Sequence, residues 1–544
     1  MEIEEGNPTM RRLGALGYAC MFVWAFLSTS AGLGADAGEA ANFDAQKKLD
    51  AVHKKIGHEP KLGLNLAGLC DWNTELPFVD VFRETRAWVS QREGASWGGG
   101  PELALDAQGW VTRLEKNCWA EVPLCTIEGG HYPSGIYTLE YAGKGRIEIG
   151  GGRILTAEPG KTTFEIDSKG GAFWVRVKET DPADYIREIK VYLPGYGEAS
   201  SREKTGIWNP SFLERWRSIA VFRTMDWQRT NGSEQKEWSD RAKPDDATYS
   251  RAGMPLELIC DFVERVDADL WYCVPDQASD DYVRRAAEMM KRLLSPTRKI
   301  YLEYSNEVWN SSFEQSRRAG AKGRELCGAT SDWEGAWFYT ARRSVEIFKI
   351  FEDVFGDDSR IVRILPSQAV NPWVSEQILK FDDAYLHADA LAIAPYVGWS
   401  VPSEEKDKVL ELGVDGVLDR LEKEILPETI KQIRAQKALA ERYGLELVCY
   451  ESGQHLVGLW GANDSEELNS ILIQANRSER MGAIYERYFQ AWEEIGGNLT
   501  CHFSSVGKWT KWGSWGLIEY ADETAESSPK LRATLKYAHK WNQR

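Results

Sequence analysis

Two glutamates share a setting that suits acid–base chemistry. Glu307 closes the run Tyr301-Leu302-Glu303-Tyr304-Ser305-Asn306-Glu307-Val308-Trp309. The first half of that run is apolar and aromatic, the pattern of a buried strand. The carboxyl therefore falls at a strand mouth, beside an amide and an indole. Glu451 lies 144 residues further along, where Leu445-Glu446-Leu447-Val448-Cys449-Tyr450 runs straight into Glu451-Ser452-Gly453. Two strand-end carboxyls are what acetal hydrolysis between sugars requires: one protonates the leaving oxygen, and the other attacks or activates water. Glu303, four residues before Glu307, points to the same side of a continuous strand and one layer deeper. A buried carboxylate there must be paired, so its expected role is structural. Asn306 is placed to donate a hydrogen bond to a sugar hydroxyl.

These carboxyls need a frame that brings distant strand ends together. Strand-like runs recur at Lys61–Leu69, Ser218–Met225, Ala268–Pro275, Tyr301–Glu307, Arg360–Leu365, Ala388–Tyr396, Leu445–Tyr450 and Leu499–Ser504. Helix-like stretches accompany them, among them Asp44–Ile56, Val79–Gln91, Tyr282–Leu294 and Ala336–Phe355. Eight strands alternating with helices predict an α/β fold, a (β/α)8 TIM barrel, whose strand ends carry the active site. Glu307 and Glu451 would end strands four and seven, across the mouth from one another. Between about 101 and 196 the chain changes to short alternating runs divided by glycine turns, the mark of a small antiparallel sandwich. The expected plan is barrel over 45–100, an inserted β-sandwich over 101–196, and the rest of the barrel over 197–544.

Residues 1–36 read as an export signal: basic Arg11-Arg12, an apolar run from Leu13 to Phe26, then small residues. The chain is expected to be secreted or periplasmic, with no membrane span once the signal is removed. A formal net charge of −17 argues against nucleic acid as a partner. Seven scattered His and the lack of metal-type Cys spacing imply no metal and no cofactor. Cys118 and Cys125 are candidates for a local disulfide in an oxidising compartment. The 23 Trp supply flat apolar faces suited to sugar rings as well as to core packing. Trp72, Trp227, Trp309 and Trp399 follow strands and are candidates for lining a cleft, although loop packing accounts for them equally.

Glu303-x-x-Asn306-Glu307 followed by Trp309 resembles the acid/base motif of glycoside hydrolase clan A. Glu451-Ser452-Gly453 after an apolar strand resembles that clan's nucleophile motif, and the order along the chain agrees. Families 5, 39 and 51 are comparably close. The resemblance implies a retaining β-glycosidase acting on a polysaccharide or its oligosaccharides, with Glu307 as acid/base and Glu451 as nucleophile. Arg223 is similar to the clan arginine that keeps the nucleophile ionised, and Arg229 competes for that role. Tyr396 ends strand six as a hydrogen-bond partner for Glu451, but the clan's His-x-Tyr is here Ala394-Pro395-Tyr396. The clan's strand-eight Trp has three counterparts, Trp509, Trp512 and Trp515, of which Trp512 is favoured. The competing reading is a carbohydrate-binding protein on a barrel that does no catalysis. Oligomeric state is open at this level.

Overall fold

The computed structural model describes residues 43–203 and 206–542. The export signal expected over 1–36 lies outside them. Eight parallel strands close a barrel: β1 (Lys61–Asn65), β2 (Val221–Arg223), β3 (Asp269–Val274), β4 (Ile300–Tyr304), β5 (Ile361–Pro366), β6 (Ala390–Ile393), β7 (Glu446–Ser452) and β8 (Leu499–His502). Each pairs with the next, and β8 returns to β1. Helices separate consecutive barrel strands beyond β2, so the fold is the expected (β/α)8 barrel. Its strands read as unbroken apolar runs because both faces are covered, one by helices and one by the packed interior. All five residues of β4 and all seven of β7 are buried. At Gly63 of β1 a Cβ would lie 2.6 Å from Cys501 Sγ and 3.0 Å from the Val221 carbonyl, so only glycine lets β1, β2 and β8 approach.

Between β1 and β2 the chain builds two antiparallel sheets of four strands each. One orders Val89–Arg92, Cys118–Leu124, Phe173–Thr180 and Gly145–Gly150; the other orders Arg187–Tyr192, Gly135–Ala142, Lys161–Ile166 and Arg153–Glu158. Their facing sides bury a separate core that includes Val122, Leu139, Phe164, Val175 and Ile189. Tyr137 packs in it, its ring 5.4 Å from Phe173. The two sheets are the all-β insertion expected after the first barrel strand.

Two local expectations fail for physical reasons. The stretch Val79–Gln91 is not a helix: it holds a single 3-10 turn, Val81–Glu84, and then the strand Val89–Arg92. The buried Asp80 carboxyl caps that single turn through the Phe82 N–H and also accepts from Val191, and the residues after it leave the helical path because Val89–Arg92 pair with Cys118–Glu121. Cys118 and Cys125 are free thiols. They stand at opposite ends of the seven-residue strand Cys118–Leu124. At roughly 3.3 Å per residue an extended strand holds them far beyond disulfide reach. Among the described residues no helix is long and apolar enough to cross a membrane.

Candidate active site

The site begins with the polar residues that the barrel interior tolerates. Arg223, the last residue of β2, has no exposed surface. All five of its guanidinium donors are used. Nε and Nη2 bind the Glu303 carboxylate at 2.9 and 3.2 Å. Nη2 also donates to Asn306 Oδ1 at 2.7 Å, and Nη1 donates to Asn65 Oδ1 at 3.1 Å and Glu451 Oε1 at 2.8 Å. Glu303 takes a further bond from Trp271 Nε1 at 2.7 Å. Its structural role follows: it offsets the charge of Arg223 in a place that water does not reach.

Glu451 reaches the mouth through a bulge. β7 and β8 pair Cys449 with Thr500 and Ser452 with His502, three residues against two. Val448 and Tyr450 pack in the barrel interior, and an unbroken strand would turn Glu451 away from them. The extra residue lets Tyr450 and Glu451 both face inward. Gly453 then takes φ +117°, and a Cβ there would lie 2.5 Å from the His502 ring, which explains the glycine two residues after Glu451. Glu451 Oε1 is held by Arg223, and Tyr396 donates its hydroxyl to Oε2 at 2.8 Å.

Glu307 arrives differently. β4 stops at Tyr304, and Ser305 and Glu307 both lie in the left-handed region, at φ +57° and +42°. A turn, not strand alternation, therefore aims the carboxyl, and Glu307 does not share a continuous strand with Glu303 as its four-residue spacing predicted. Such backbone costs energy and persists where the surroundings enforce it. Here Asn310 Nδ2 donates to Glu307 Oε2 at 3.0 Å, and the Tyr450 hydroxyl donates to Oε1 at 3.2 Å. Trp309 Nε1 donates in turn to the Tyr450 oxygen at 3.1 Å. Asn306 is fixed between Arg223 and Asn231, to which its Nδ2 donates at 2.9 Å.

The two carboxyls are buried but unequally supported. Burial pushes Glu451 up, against the Arg223 guanidinium and the Tyr396 hydroxyl. Burial and then the charge of Glu451 raise Glu307 to about 8, opposed mainly by the neutral donors Asn310 and Tyr450. Of the two, Glu307 has no cation in contact, so a proton shared by the pair is held more readily there than on Glu451.

No family model matches the sequence, and no curated protein matches it. Solved structures are similar to it at low identity. A family 51 arabinofuranosidase from Xanthomonas axonopodis pv. citri shares 12% identity, with 62% of this chain and 67% of that one covered and a TM-score of 0.42. An endo-β-1,4-mannanase from Thermotoga petrophila shares 11%, with 61% and 72% covered and a TM-score of 0.36. The N-terminal endo-1,4-β-D-xylanase 10B of Clostridium thermocellum, its CBM22-1 and GH10 modules together, shares 10%, with 87% and 99% covered and a TM-score of 0.35.

The remaining residues singled out in the sequence fall into three groups. Arg223, Asn306, Tyr396 and Trp309 surround the two carboxyls. Arg229 does not: its guanidinium donates to the Ser250 carbonyl, which decides between the two arginines. Trp512 and Trp72 stand at the rim, 46% and 55% exposed, one beside Lys511 and the other under Arg86. Trp515, rather than Trp512, lies by the carboxyl pair, 6.1 Å from the ring of Tyr396 and 4.7 Å from that of His455. Trp227 belongs to the core, stacked on Trp208 at 5.9 Å with no surface to offer a ligand. Trp399 is buried under Arg420, 3.5 Å from its ring, with Nε1 bound to Glu405. Tyr450, Asn65 and Asn231 were missed. Tyr450 could have been found only by anticipating the bulge.

Proposed function

We propose that this chain is a retaining β-glycoside hydrolase, with Glu307 as acid/base and Glu451 as nucleophile. The unequal support of the two carboxyls carries this reading. Glu451, held by Arg223 and Tyr396, stays ionised and attacks the anomeric carbon. Glu307 gives its proton to the departing glycosidic oxygen, and a glycosyl ester forms on Glu451. That ester removes the charge which helps to raise Glu307, so the Glu307 pKa falls. The resulting carboxylate takes a proton from water, the water oxygen displaces Glu451, and both groups return to their starting states. The rim indoles Trp72 and Trp512 support a β-linked polysaccharide or its oligosaccharides as substrate. The basic and apolar segments within 1–36 support export.

The test is hydrolysis of aryl β-glycosides and of β-glucans, mannans, xylans and galactans by wild type, Glu307→Gln and Glu451→Gln. Both variants are expected to lose activity by a factor of 10³ or more, on the order of a lost catalytic group. Azide should rescue Glu451→Ala through a glycosyl azide of inverted anomeric configuration. Equal binding of a glycan by all three proteins, with no cleavage by any, would instead favour a carbohydrate-binding protein.

A further inference from the structure

One polar side chain at the barrel mouth lacks the partners its neighbours have. Asp226 lies three residues past Arg223, on the turn that leaves β2. It faces the loop after β1, where a Cβ on Gly68 would lie 3.7 Å from its own Cβ. Its backbone is fixed, since the carbonyl accepts from Arg229 N–H at 3.0 Å. The residue is partly exposed, and its carboxyl has no hydrogen-bond or ion-pair partner among the described residues.

Three charges act on it electrostatically: Glu451 of β7, Arg223 of β2 and Arg229 of its own turn. Arg223 has no donor left to give. Arg229 is engaged with the Ser250 carbonyl. Burial, then the Glu451 charge, raises Asp226 to about 7. An unpaired carboxyl on a partly exposed residue at the barrel mouth keeps both oxygens free to accept from a ligand.

We propose that Asp226 is a specificity-determining residue that accepts hydrogen bonds from two neighbouring hydroxyls of the sugar held against Glu451. This rests on the glycosidase reading above. A carboxylate offers two oxygens and can take both O–H groups at once. Its charge, added to that of Glu451, turns away a uronate at the same position. The ligand class is therefore a neutral glycoside with adjacent free hydroxyls on its glycone.

The experiment compares wild type, Asp226→Asn and Asp226→Ala on an aryl glycoside, its single-deoxy analogues and the matching uronide. Either variant should lower kcat/KM on the parent roughly 10- to 100-fold, the range for losing charged hydrogen bonds. Wild type should lose a similar factor when either of the two paired hydroxyls is removed, whereas the variants should lose little more. Losses that simply multiply across variant and analogue overturn the proposal, as does a parent rate unchanged in Asp226→Asn. A wild type that cleaves no member of the series overturns the glycosidase reading itself.

A second arm needs no substrate. The folded Asp226 carboxyl is raised above its ordinary value, so its ionisation opposes folding as pH climbs from about 4 towards 7. Asparagine carries no such penalty. Asp226→Asn should raise Tm at pH 8 and leave it nearly unchanged at pH 4. A lower Tm at pH 8 would mean that Asp226 holds the fold together, and the proposal would fall.

Discussion

A hydroxyl with two jobs connects the carboxyls. Tyr450 donates to Glu307 and packs its ring 5.0 Å from the Arg223 guanidinium that holds Glu451. A hydrogen bond donated to a carboxylate stabilises its charged form, so removing it raises the pKa. On the proposed mechanism Glu307 is the acid, so its loss of a proton would set the basic limb of the kcat/KM profile. Tyr450→Phe should move that limb to higher pH and lower kcat, read from a pH–rate series; a limb that moves down contradicts the contact. Arg223 offers a stability test. Arg223→Ala leaves Glu303 and Glu451 buried without their cation and should cost roughly 3–5 kcal/mol in urea denaturation. Arg223→Lys should recover only part, because an ammonium cannot reach five acceptors in a plane. Glu307, Glu451, Arg223 and Tyr396 were legible in the sequence because each ends, or closely follows, an apolar run. The choice between Arg223 and Arg229 was not legible, since both follow the same strand and only the backbone of the turn separates them.

At the scale of elements, the sequence gives away periodicity but hides interruptions of it. All eight barrel strands were visible as apolar runs. The bulge in β7 was not, because one extra residue leaves no mark on composition, and with it went Tyr450. The loop after β8 shows the same limit. Three tryptophans in a glycine-rich run look equivalent, yet a buried lysine decides which faces the site. Lys530 has no exposed surface, and its Nζ donates to the Ser514 carbonyl at 2.7 Å and to Asn476 Oδ1 at 3.1 Å. Gln454 Nε2 donates to the same carbonyl at 2.7 Å. Together they pin the residue before Trp515, whose ring lies by Tyr396. Lys530→Met keeps the stem and removes these bonds. It should speed amide hydrogen exchange across 507–516 and lower kcat/KM several-fold, while exchange in β4 stays unchanged.

At the scale of the whole molecule, the inserted sheets are braced against the mouth they overhang. Asp71, in the loop after β1, takes two bonds from Arg86 and one from Thr126 of the insertion. His131 stacks on Tyr520 at 3.7 Å, and Lys508, in the loop after β8, pairs with Glu128. Leu76, Val81, Phe82 and Ala247 bury themselves in the core of the insertion. Deleting residues 101–196 should therefore yield insoluble protein instead of a smaller barrel, a result read from the soluble fraction after expression. On the proposed function, the exposed indoles Trp72 and Trp512 would serve long ligands and not short ones. Trp72→Ala and Trp512→Ala should raise KM on a polysaccharide roughly 3- to 10-fold and leave an aryl glycoside unaffected. An equal effect on both substrates would place these rings at the cleavage point.

The long excursion between β1 and β2 also sets a timetable. β1 is complete at Asn65, its neighbour β2 begins at Val221 and its other neighbour β8 at Leu499. At synthesis rates of roughly 5–20 residues per second, β1 waits on the order of 20–90 s for β8. The two inserted sheets have their last strand by Tyr192, before β2 has been made. The emerging chain thus has all the sheet strands of its appendage first, while an apolar strand with two open edges stands idle. Unpaired strand edges are prone to aggregation, so Lys61–Asn65 is a segment that a chaperone acting on the growing chain would have reason to cover.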